Sequence, residues 1–181
     1  MKKILIILLA CFLILPVVSC SGSVQTSADP TGENSQNTDA RGAVNGYLFE
    51  ANGTKIAADA LIAPILQALG EPKQYYESAS CAFNGLDKVN VYDHFQIDSY
   101  PSPDGDRVMA VYLMDDLVTT PEGLRLGDTA EKTKEIYGAA YRTSGTEWIY
   151  EKGGMELHVL FENDLVSYIT YASKVLGQVA N

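Results

Sequence analysis

Leu124-Arg-Leu-Gly-Asp-Thr-Ala-Glu-Lys-Thr-Lys-Glu-Ile-Tyr-Gly138 is the stretch that decides the fold. An apolar residue and a glycine lead into Asp128, a residue type suited to capping a helix. Glu131 follows three positions on, as a capping box requires. The spacing predicts a helix from Thr129 to Tyr137, and Gly138 stops it. An earlier helix-like stretch, Ala58 to Leu69, ends in the same way at Gly70-Glu71-Pro72. Asp59 is its expected cap. Pro64 then falls one turn in, which is late for proline. This first helix therefore starts later or is broken.

Strand-like runs follow each helix. After the first come Lys88 to Tyr100 and Arg107 to Met114, joined by Pro101-Ser-Pro-Asp-Gly-Asp106. After the second come Thr146 to Glu151, Met155 to Phe161 and Leu165 to Tyr171. Lys152-Gly-Gly and Glu162-Asn-Asp join the later runs. Short Gly, Asn and Asp loops between alternating runs indicate antiparallel hairpins. Phe95-Gln-Ile-Asp and Val108 to Leu113 align loosely with Met155-Glu-Leu-His and Val166 to Tyr171, so the order of helix then meander occurs twice. The predicted class is α+β. One domain over 46–181 would hold two tandem helix-plus-antiparallel-meander units, about 46–120 and 121–176.

The Leu124–Gly138 pattern, with Ala68-Leu-Gly-Glu-Pro72 as its earlier counterpart, resembles the BamE (SmpA/OmlA) lipoproteins and the tandem β-lactamase inhibitory protein. Ser80-Cys-Ala-Phe-Asn-Gly-Leu-Asp-Lys88 is similar to a segment of uncharacterised lipoproteins from Gram-positive anaerobes. The resemblance spans roughly Thr54 to Tyr171 and rests on short structural motifs. It implies a shared α/β unit and, from the inhibitor, an open sheet face that grips a target protein. It assigns no functional residue.

The beginning of the chain suggests a compartment. Lys2 and Lys3 precede fifteen apolar residues, Ile4 to Val18. A membrane-spanning helix needs about 20; the shorter run suits a signal peptide over residues 1–19. Val17-Val-Ser-Cys20 resembles a lipobox. That resemblance implies cleavage before Cys20 and a diacylglycerol on its sulfur, placing the protein lipid-anchored on the extracytoplasmic side of the cell membrane. Two acyl chains hold where one barely does, at about 0.8 kcal/mol per buried methylene. Residues 20–45 are rich in Ser, Thr, Gly, Asn and Asp. They are too poor in apolar surface to fold, so a flexible tether is expected.

Without Lys2 and Lys3 the chain has eleven basic and twenty-three acidic residues, a net charge of −12. Nucleic acid is excluded as a partner, because it demands basic patches. The expected partners are the membrane, through Cys20, and a protein at the cell envelope. Once Cys11 leaves with the signal and Cys20 carries lipid, Cys81 is the one thiol left. No disulfide frame is available, and the fold depends on an apolar core.

The sequence contains no Gly-x-Ser-x-Gly, His-Glu-x-x-His, phosphate loop or Gly-x-Gly-x-x-Gly, and no cofactor is expected. Cys81 with His94 or His158 could make a thiol–imidazole pair; a small buried hydrophobe is its plainer role. Asp104 with Asp106, and Asp115 with Asp116, supply too few oxygens for calcium and suit solvated loops. No metal site is expected.

Strand alternation supplies the remaining candidates. Val89, Val91, Phe95 and Ile97 are expected to share one face, opposite Tyr92, His94, Gln96, Asp98 and Tyr100. Met155, Leu157, Val159 and Phe161 form another apolar face, opposite Glu156 and His158. Trp148 and Tyr150 lie opposite Ile149. Aromatics with polar tips favour partner contacts. Tyr92, His94, Tyr100, Trp148, Tyr150, His158 and Tyr168 are thus the candidate binding face. The same side chains could instead cover the sheet or pack between the units. The expected function is a tethered, non-catalytic binding or scaffolding module. Its alternatives are an inhibitor of an extracytoplasmic enzyme and a thiol-dependent enzyme using Cys81.

Overall fold

A computed structural model describes residues 46–175. Cys20, the predicted signal segment, the predicted tether and residues 176–181 lie outside the described residues. Among the described residues the architecture is mixed, mostly β with two helices. A short hairpin, β1 (Phe49–Ala51) with β2 (Thr54–Ile56), precedes helix α1 (Ile62–Leu69). Then come β3 (Gln74–Ala79), β4 (Leu86–Val91), β5 (Phe95–Tyr100) and β6 (Arg107–Leu113). Helix α2 (Ala130–Tyr137) leads to β7 (Arg142–Ser144), β8 (Glu147–Lys152), β9 (Met155–Glu162) and β10 (Leu165–Ser173). The eight later strands form one antiparallel sheet in the order β3-β4-β5-β6-β10-β9-β8-β7.

Both helices are eight residues long and end at a glycine in a backbone region that side chains avoid: Gly70 has φ 80° and ψ −169°, Gly138 φ 82° and ψ −172°. Each glycine N–H donates back four residues, to Leu66 O at 2.9 Å and Lys134 O at 2.8 Å. The starts differ from expectation. α1 begins at Ile62, because residues 59–62 bond to the edge of β6 instead. Asp59 N–H donates to Val108 O (2.8 Å), Val108 N–H to Ala60 O (2.9 Å) and Ile62 N–H to Asp106 O (2.9 Å). Its N-cap is Leu61, without a side-chain bond, so Asp59 is not the cap. α2 is capped by Thr129, whose Oγ1 accepts from Lys132 N–H. Asp128 instead accepts from Arg125 N–H and the Lys132 ammonium.

The bonds that hold residues 59–62 to β6 recur at the second helix. Gly127 N–H donates to Val166 O (2.8 Å), Val166 N–H to Asp128 O (2.8 Å) and Ala130 N–H to Asp164 O (3.1 Å). Leu61 bridges Arg107 as Thr129 bridges Leu165. The ladder of β5 with β6 shifts register between Asp98 and Ser99, and that of β9 with β10 between Val166 and Tyr168.

Helices and hairpin pack on one face of the sheet. Its core includes Phe95, Ile97, Val111, Leu113, Leu157, Val159, Ile169 and Tyr171, with Ile62 and Ile65 from α1. Phe49 of the hairpin meets Phe95 (ring centroids 5.1 Å) and Tyr171 (5.9 Å). Among the described residues, no helix is long and apolar enough to cross a membrane.

Lys88 to Tyr100 is not one strand. The chain reverses at Tyr92-Asp-His94, with Tyr92 N–H donating to Phe95 O (2.9 Å), and the alternation changes phase there. Asn90 pairs with Ile97 on the core side, while Val89 pairs with Asp98 and Val91 with Gln96 on the other. The expected face of Val89, Val91, Phe95 and Ile97 is therefore split.

Candidate functional site

Among the described residues no helix or hairpin packs on the other side of the sheet, and register lines up its residues. One row runs Ile149, His158, Thr170, Tyr112, Gln96, Val91, Gln74. The next runs Glu151, Glu156, Ala172, Ala110, Asp98, Val89, Tyr76.

Two of the seven sequence candidates stand on this face. Tyr168 is 39% exposed and pairs with Leu160. His158 lies between two carboxylates, Nδ1 at 3.0 Å from Glu147 Oε1 and Nε2 at 3.1 Å from Glu156 Oε2. Glu156 also receives Arg142 Nη2 at 2.5 Å.

The other five lie elsewhere. Tyr150 pairs with Leu157 and is 1% exposed, so it belongs to the core; its hydroxyl donates to Gly138 O (3.2 Å). Burial raises its pKa well above the tyrosine norm. Trp148 pairs with Val159 on the same side and stacks on Tyr141 at 4.3 Å, with Lys134 Nζ of α2 at 5.0 Å from the ring centroid. Tyr92 stacks on Phe95 at 4.9 Å and donates to Gly70 O (3.2 Å). His94 sits in the reversing turn, Nδ1 at 2.7 Å from Asp115 Oδ2. That bond holds the Asp115 carboxyl below its usual range.

Tyr100 is buried in a polar joint. Its hydroxyl donates to Asp59 Oδ1 (2.9 Å), which also accepts from Ser173 Oγ (2.5 Å). Arg107 Nη1 donates to Asp59 O (2.5 Å) and Nη2 to Asp104 Oδ2 (2.5 Å). The Arg107 guanidinium pulls the Asp104 carboxyl down to about 2. This joint ties the lead-in to α1 to β5, β6 and the end of β10. It holds the fold.

Cys81 is exposed, contrary to the buried role expected. Ser80 Oγ accepts from the N–H groups of Ala82 and Phe83, and the bend turns Phe83 inward onto Tyr100 (4.7 Å) while leaving the thiol outside. Among the described residues both histidine rings hydrogen-bond carboxylates, and no hydrogen bond joins either to Cys81. Asp106 is held by Lys88 Nζ at 2.6 Å. Among the described residues no group of three or more His, Cys, Asp and Glu could hold a metal.

The open face has its own concavity, which the sequence reading did not single out. A depression of about 370 Å³ is bordered by Gln96, Asp98, Tyr112, Met114, Ser167 and Tyr168. Gln96 Nε2 donates to Asp98 Oδ1 (2.7 Å). Burial raises the pKa of the Asp98 carboxyl above the usual carboxylate range, against that bond and a contact from the Tyr112 hydroxyl. The Tyr112 and Tyr168 rings are 5.8 Å apart, tilted by 45°. Thr170, cross-strand from Tyr112, is 6% exposed. Tyr168 lies near its hydroxyl, but the two do not meet in hydrogen-bond geometry, and the hydroxyl has no partner. Alternation marked Gln96 and Asp98 as one face. Their meeting with Tyr112 and Tyr168 needed the pairing of β6 with β10.

No family model matches the chain, and no curated protein matches it. Among solved structures, an extracellular protein containing a SCP domain from Bacillus anthracis str. Ames is similar, with a TM-score of 0.48 and 13% identity. The match covers 83% of this chain and 50% of that one, so this chain spans about half that structure's length.

Proposed function

We propose that the protein is a non-catalytic binding module, lipid-anchored through Cys20 on the extracytoplasmic face of the membrane, which meets a protein partner with the open face of its sheet. The observation behind this reading is that uncovered face and its depression: helices and hairpin pack on one side, and Tyr112, Tyr168, Leu160 and His158 stand on the other. Aromatics with polar tips beside a concavity are the composition of recognition surfaces.

We also read the fold as two tandem helix-plus-meander units, like those of the β-lactamase inhibitory protein. The matched hydrogen bonds at residues 59–62 and 127–130 support that reading. Inhibition of an extracytoplasmic enzyme is the narrower form of the same proposal, and the fold alone supports it. The thiol-enzyme alternative has no support from the described residues, since no hydrogen bond joins either histidine to Cys81. Anchoring would hold the surface at high local concentration, so modest affinity suffices.

The test uses the full chain in cells, with a photo-crosslinking residue at Tyr168 or, as control, at the exposed Glu135 of α2. One defined adduct from the Tyr168 position alone is expected. Equal adducts from both positions, or none, would reject the binding face. In parallel, cells fed a labelled fatty acid should label the full chain but not its Cys20→Ser variant; equal labelling of the two, or none, would reject the anchor.

A further inference from the structure

The carboxylates of the open face are unequally neutralised. Glu147 hydrogen-bonds His158, while Glu156 has Arg142 and Glu151 has Lys174. Asp98 and Asp87 have nothing of the kind. They stand diagonally on β5 and β4, where Val89 pairs with Asp98, and neither forms an ion pair among the described residues. Asp87 Oδ1 is buried without a hydrogen-bond partner, as is the Thr170 hydroxyl. Buried polar atoms left unmet are costly, and Asp98, diagonal to Asp87, is the carboxylate that borders the depression.

We propose that this depression receives a basic side chain, lysine or arginine, from the surface of a partner protein. The proposal rests on the binding-module reading above. A cation in the depression would offset the charge of Asp98, whose pKa burial and, after it, the Asp87 carboxylate raise. The Tyr112 and Tyr168 rings offer faces for an alkyl stem or a guanidinium plane. A volume of about 370 Å³ lies at the small end for ligand pockets, which suits one side chain better than a large ligand. The net charge of −12 after Lys3 favours encounter with a basic surface.

The test titrates N-acetyl-arginine amide, N-acetyl-lysine amide and the neutral N-acetyl-citrulline amide into full-length chain in detergent, labelled at tyrosine for NMR. Saturable shifts at Tyr112 and Tyr168 are expected with a basic amide, while buried Tyr150 and Tyr171 stay still and report an intact fold. Citrulline amide should move none of them. Asp98→Asn should weaken the response by about tenfold, as loss of a charge-assisted contact does. Tyr168→Leu, changed at the exposed rim, should weaken it several-fold with Asp98 intact. Equal binding of citrulline amide, or undiminished binding by Asp98→Asn, overturns the proposal. A Tyr168 cross-link in cells without any response to a basic amide overturns it too, and leaves the binding module standing. Loss of both rejects both.

Discussion

Residues 59–113 and 127–173 dock a helix over a four-stranded meander with the same backbone hydrogen bonds, yet they fill the joints with different side chains. Asp59 and Gly127 make the same bond to β6 and β10, at φ 64° and 84°. Gly127 takes that left-handed conformation freely. Asp59 takes it with a carboxylate that Tyr100 and Ser173 hold in place. Tyr92 and Tyr150 both close on a helix-ending glycine at 3.2 Å, one half-buried and the other at 1% exposure. What the joint demands is a backbone conformation, and several residue types can meet it.

The largest expected effect would break the likeness of the two tyrosines. Tyr150→Ala should cost about 3–5 kcal/mol in urea unfolding, and Tyr92→Ala about 1–2, because less surface is lost. Their phenylalanine variants, which remove the hydroxyl bond alone, should each cost about 1 kcal/mol. Unequal costs there would show that the two bonds are not equivalent.

Next comes the left-handed position. Asp59→Ala should cost about 2–3 kcal/mol, combining backbone strain with an orphaned Tyr100 hydroxyl. Gly127→Ala should cost about 1–2, from strain alone, since nothing lies within 4 Å of the added carbon. Thermal melts giving equal losses would deny Asp59 its side-chain role.

The smallest effect exchanges caps. Thr129→Ala should cost about 1 kcal/mol, and Leu61→Thr should gain about 0.5 by supplying the cap that α1 lacks. A neutral Leu61→Thr would show that the bond of its segment to β6 already fixes that helix start.

Local signals were readable. Gly70 and Gly138 stop helices within their own neighbourhoods, and Met155, Leu157, Val159 and Phe161 share a face because alternation is a property of one strand. Alternation does not tell which face is buried. Alternation puts Trp148 and Tyr150 together, and only their pairings with Val159 and Leu157 decide that their side is the core side. The turn at Tyr92-Asp-His94 interrupts an apolar run without Gly or Pro, so the phase change left no mark there. The Asn52-Gly53 pair, a strong hairpin signal, could have revealed β1 and β2. The depression was hidden because Asp98 and Tyr168 meet only across the β6–β10 seam.

That seam also bears on the order of assembly. In the eight-stranded sheet every other neighbouring pair joins strands consecutive in sequence, whereas β6 with β10 spans the whole second meander. Each meander can zip from its own turns, at the microsecond pace of hairpins. Joining them closes a loop whose entropy cost grows only with the logarithm of its length. Until it closes, Val111 has only Ile97 and Tyr171 only Leu157 as cross-strand neighbour, so the seam is where two separately zippered surfaces complete each other.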